Sequence, residues 1–160
     1  MKRIVMSLVV ALVVPAAAVL TSGCSAAQKQ ELEAEKAKIK AERDANFRDR
    51  QWNDGVRQVN WGLRQLDKFD QKLAEAEPES AVRHLRKASG HFAKAMTHFE
   101  KAEVGREKQG AIDDINAGNE ALVKAYTDLE EGKVDAAQGQ LDKANEHFLR
   151  ADQTLAAAAG

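Results

Sequence analysis

From Trp52 onward, apolar residues recur every three or four positions in four successive stretches. Trp52, Val56, Val59, Leu63, Leu66 and Leu73 form the first, broken only at Asp70. That spacing places side chains on one face of an α-helix. Glu77-Pro78-Glu79-Ser80 interrupts the stripe, and proline suits the first turn of a new helix while disfavouring helix in the residue before it. The second stripe is Ala81, Leu85, Ala88, Phe92, Ala95, Phe99 and Ala102, and it stops around Gly105 to Gly110. The third carries Ile112, Ile115, Leu122, Tyr126 and Leu129, and Glu131-Gly132-Lys133 reads as a tight helix end with glycine just past it. The fourth is Ala137, Leu141, Ala144, Phe148, Ala151 and Leu155, fading into an alanine tail. Ahead of these helices, residues 24–50 have high helix propensity but only Leu32, Ile39 and Phe47 as large apolar residues, too few for a buried stripe. They read as a charged, solvated helical stalk or a partly disordered tether.

The four stripes form two copies of one pattern. Shifting the chain by 56 residues superposes Asn60 on Asn116, Gly62 on Gly118, Leu66 on Leu122, Leu85 on Leu141 and His91-Phe92 on His147-Phe148, with roughly fourteen identities in about fifty positions. A matched Asn, Gly and His-Phe go beyond what a generic apolar stripe requires. The prediction is an all-α protein in which a duplicated αα-hairpin, residues 51–105 and 110–157, makes an up-down-up-down four-helix arrangement. Glycines inside helices cost up to about 1 kcal/mol relative to alanine, so Gly62 and Gly118 point to close helix packing. Trp52 and Trp61, at the start of the first hairpin, read as core or junction residues.

Composition supports the all-α reading: two prolines, and few β-branched residues after the first twenty-five. The chain carries one cysteine, Cys24, and a net charge of −1, which gives no basis for nucleic-acid binding. The N-terminal run is Met1-Lys2-Arg3, then an apolar stretch from Ile4 to Leu20, then Thr21-Ser22-Gly23-Cys24. This resembles the signal peptide and lipobox of bacterial lipoproteins, with small residues at Ser22 and Gly23 before the cysteine and Thr21 where the family usually has Leu or Val. The resemblance implies removal of residues 1–23, a covalent lipid on Cys24 and a membrane held through that lipid. Ser25 in the next position implies export to the outer membrane, facing the periplasm. The segment Asp128 to Ala137, with Leu141 and Ala144, resembles a tetratricopeptide hairpin over some twenty residues, although the period here is 56. That likeness implies a concave peptide-binding surface.

His84, His91 and His98 stand one heptad apart, and His147 is the repeat-mate of His91. As metal ligands they would be spread over about 10.5 Å of helix per heptad, and the positions three and four residues on are Lys87, Ala88, Lys94, Ala95, Lys101 and Ala102. A periplasmic metal-binding role would therefore need carboxylates from other helices. The same residues form a cationic stripe of His84, Lys87, His91, Lys94, His98 and Lys101, echoed by Lys143, His147 and Arg150. It reads either as a solvated helix edge paired with acidic residues such as Asp67, Asp70 or Asp114, or as an anion-facing surface that strengthens in acid. No nucleophile, metal-protease or phosphate-loop motif occurs, so the expectation is a non-enzymatic, cofactor-free envelope protein. Its partners would be another envelope protein or the cell wall, and a bundle with exposed heptads could pair with a second copy.

Overall fold

The computed structural model describes residues 26–159, with side chains from 28 to 157; the leader and Cys24 lie outside the described residues. Four helices follow one another: α1 (Ala26–Ala74), α2 (Pro78–Ala102), α3 (Arg106–Glu130) and α4 (Val134–Ala159), with no strand among the described residues. Two compact units divide between Lys38 and Ile39. In the first, every described side chain is exposed. The second holds the helical bundle, in which burial begins at Gln51. Among the described residues, no helix is long and apolar enough to cross a membrane.

The two hairpin turns are built alike. After α1, the Ala76 amide bonds the Leu73 carbonyl and the Glu77 amide bonds the Lys72 carbonyl. After α3, the Gly132 amide bonds the Leu129 carbonyl and the Lys133 amide bonds the Asp128 carbonyl. Each pair closes the helix end with a left-handed residue. That residue is Ala76 at φ 58° in the first turn and Gly132 at φ 74° in the second. Glycine takes this conformation freely, whereas alanine is strained there. Pro78 then opens α2, where the proline's missing amide is no loss.

The apolar stripes meet as the spacing requires. Leu85, Phe92 and Phe99 on α2 and Leu122 on α3 are the largest fully buried side chains. Alanines at 81, 88, 95, 111, 125, 137, 144 and 151 are buried as well, and let the helices approach closely. The mid-helix glycines have a specific reason. A Cβ on Gly62 would lie 2.8 Å from the Phe92 ring, and one on Gly118 would lie 2.7 Å from the Phe148 ring. The two phenylalanines, themselves repeat-mates, stack with ring centroids 4.5 Å apart. A contact between mates that exchanges with itself when the hairpins are swapped marks an approximate two-fold axis through the bundle.

Candidate functional site

Three of the four histidines form a ladder between α1 and α2. Nδ1 of His84, His91 and His98 faces the side-chain oxygen of Gln65, Gln58 and Gln51 at 2.8, 2.9 and 2.9 Å. Each step moves seven residues forward on α2 and seven back on α1, as antiparallel helices demand. With the amide oxygen toward the ring, Nδ1 carries the proton and donates it. The rings are half-buried. Burial, and then the neighbouring lysines, Lys87 first at His84 and Lys94 at His91, push both imidazoles below their ordinary pKa. Trp61 lies edge-on to His91 with centroids 5.8 Å apart.

The second hairpin repeats the rung with different chemistry. His147 Nδ1 faces Asp114 Oδ1 at 2.8 Å, and Asp114 is the repeat-mate of Gln58. Arg150 Nε donates to the same oxygen at 3.2 Å, and its Nη2 lies 3.1 Å from that oxygen as an ion pair. The hydrogen bond from His147, reinforced by Arg150, holds Asp114 below the usual carboxylate range. The sequence-derived stripe is thus divided in space. Its histidines turn into the interfaces α1–α2 and α3–α4, while Lys87, Lys94, Lys101, Lys143 and Arg150 are exposed. Among the described residues, no three His, Cys, Asp or Glu side chains converge as metal ligands would.

A second feature comes from the two-fold arrangement. Swapping the hairpins carries the seam between α2 and α3 onto that between α4 and α1. On α2 and α3, Ile112, Ile115, Leu122 and the polar residues Ser89 and Asn119 are buried, Ile115 and Leu122 also forming the floor of the hollows on the other side. Arg86 fills the edge of the α2–α3 seam, pairing with Glu130 and lying over the Tyr126 ring at 5.6 Å.

The α1–α4 seam is open. Two adjoining hollows of about 480 and 390 Å³ run along it and share Leu63, Asn145 and Phe148 in their walls. Val59 and Leu66, mates of buried Ile115 and Leu122, are only half-buried. Leu63, Leu73 and Leu149 are 38, 46 and 55 % exposed. Where the filled seam has Arg86 and Tyr126, the open one has Asp142 and Asp70. Asp67 and Asp152 also line the hollows, and neither lining contains a lysine or arginine. The result is an apolar groove with carboxylates along its edges.

No protein-family model, curated protein or solved structure matches this chain. The glutamine ladder and the groove are the features that the stripes alone left unread. Gln51, Gln58 and Gln65 do carry a signal, since their heptad spacing mirrors that of the histidines. The groove's signal is the pair of aspartates at the mates of Arg86 and Tyr126.

Proposed function

We propose that this is a lipid-anchored cell-envelope protein with a structural or adaptor role, attached through Cys24 and acting on another envelope protein through its helix faces. The leader followed by Thr21-Ser22-Gly23-Cys24 supports the anchoring, and the exposed charged segment 28–50 supports a spacer between anchor and bundle. One observation carries the adaptor reading. Apolar positions that the two hairpins share are buried on α2 and α3 and left partly uncovered on α1 and α4. Soluble proteins seldom leave a contiguous apolar surface open without something that covers it.

Two measurements test this reading. Metabolic labelling with a radioactive fatty acid tags the wild type and leaves Cys24→Ser unlabelled and released from the membrane fraction. Photo-crosslinking in intact cells from positions on α1 and α4 traps a defined envelope protein. An unlabelled wild type, or crosslinks to no protein from any helix face, counts against it.

A further inference from the structure

We propose that the α1–α4 groove is the docking site for an amphipathic helix of a partner protein, one with an apolar stripe flanked by lysine or arginine. This rests on the adaptor reading and names the chemistry of its partner.

The groove has the dimensions of a helix seat. It runs from Val56 to Leu73 on α1, eighteen residues whose successive rises of 1.5 Å make about 25 Å of helix. Leucines and Phe148 line its length, which suits the periodic anchors of a helix laid into a groove.

The filled seam shows what the open one lacks. In α2–α3, the guanidinium of Arg86 sits against Tyr126 and Glu130. In α1–α4, the two corresponding places hold Asp142 and Asp70, with no cation in the lining. Two carboxylates thus stand where the fold's own symmetric contact has a cation and a ring; Gln138 Nε2 donates to Asp142 at 2.9 Å, and a cation from outside would complement the charge of both. Leu63 and Asn145 invert the filled seam in the same sense, because their mates Asn119 and Ser89 are buried while Leu63 and Asn145 are exposed.

The charge also selects among occupants. A second copy laid groove to groove would set four aspartates against four. Anionic lipid headgroups would meet the same carboxylates. A basic amphipathic helix complements both the apolar floor and the acidic edges.

The test uses the full-length chain and three fluorescent eighteen-residue helical peptides. The first has a leucine stripe with lysine flanks, the second the same stripe with glutamate flanks, and the third the lysines with the leucines replaced by serine. The first is expected to bind saturably, and the other two at least tenfold more weakly. Asp70→Asn with Asp142→Asn, and separately Leu63→Gln with Leu149→Gln, should each weaken the first peptide at least tenfold; these positions are exposed, so circular dichroism should report an unchanged fold. Asp142→Arg with Asp70→Tyr rebuilds the filled seam's pair and should exclude the peptide from a folded protein. Lys87→Gln with Lys94→Gln, on another face, should leave binding as it was.

Binding that ignores the aspartate and leucine changes overturns the proposal, as does equal binding of the serine-substituted peptide. Self-association of the chain that is lost with Leu63→Gln and Leu149→Gln also overturns it, by giving the groove to a second copy. A crosslinked envelope partner retained equally by all groove variants removes the groove as its seat and leaves the adaptor reading standing.

Discussion

Leu122 and Leu66 occupy equivalent places in the two hairpins, yet Leu122 is 1 % exposed and Leu66 is only half-buried. The same contrast holds for Leu85 and Leu141, and for Phe92 and Phe148. The inner helices α2 and α3 cover one another, while the outer helices α1 and α4 present the same stripe to a groove. The apolar positions recur in both hairpins, while the edges differ. One seam carries Arg86 and Tyr126, the other Asp142 and Asp70. The two seams thus differ in the charge at their edges as well as in cover.

The largest expected effect comes from removing the two stacked rings in turn. Phe92 is fully buried between Gly62 and Phe148, so Phe92→Ala should cost about 3–5 kcal/mol. Phe148 is half-buried beside the groove, so Phe148→Ala should cost roughly 1–3 kcal/mol. Urea unfolding followed by circular dichroism measures both. Equal losses would mean that the two seams are packed alike, contrary to the contrast drawn above.

The glycines come next. In Gly62→Ala and Gly118→Ala the new methyl group meets an aromatic ring at 2.8 or 2.7 Å, and the forced shift should cost about 1–3 kcal/mol, outweighing the gain in helix propensity. Gly90 and Gly139 have nothing within 4 Å of a Cβ, so alanine there should stabilise by up to about 1 kcal/mol. Thermal melts of the four variants should therefore split into two losses and two gains.

Third is the polar residue inside the filled seam. Asn119 Oδ1 is buried and has no hydrogen-bond partner, and the repeat-mate of Asn119 is Leu63. Asn119→Leu, which makes the filled seam resemble the open one at this point, should stabilise by roughly 1 kcal/mol by relieving the unsatisfied oxygen. A destabilised Asn119→Leu would show that the seam's shape, rather than the lost hydrogen bond, governs this position.

Much of this architecture can be read from the chain. Spacing of three and four residues marks the helices, Pro78 and Gly132 punctuate them, and the 56-residue shift pairs the hairpins. The mid-helix glycines Gly62 and Gly118 foretell a close approach, and the rings they accommodate are the repeated Phe92 and Phe148. The left-handed turn at Ala76 is legible only through its mate, because alanine carries no turn signal of its own. The histidine stripe is visible as a stripe, but its direction is not. Glutamine is neither apolar nor charged, so the heptad spacing of Gln51, Gln58 and Gln65 gains its meaning only when the antiparallel register sets them opposite the imidazoles. The groove is hidden for a different reason. Val59 and Leu66 look like core residues in sequence, and only the tertiary arrangement leaves them without a cover.

The smallest expected effect separates the two interfaces within the hairpins by pH. His84 and His91, which face Gln65 and Gln58 respectively, have folded pKa values depressed below the ordinary 6.5, chiefly by burial. Neutral imidazole is thus favoured by the fold, and the unfolded chain takes up protons first as the pH falls. The stability these residues contribute is whole above about pH 6.5 and is lost as the pH drops through their folded values. His147 faces a carboxylate instead, and the depressed group there is Asp114, whose contribution is whole above its ordinary value of 3.8 and is lost only in stronger acid. Melting temperatures should therefore begin to fall just below neutrality. His84→Gln with His91→Gln should remove that early decline and leave the later one. Proton titration by NMR should place His84 and His91 below 6.5 in the native protein, and a value above it for either would invert the sign and assign the ladder a charged partner.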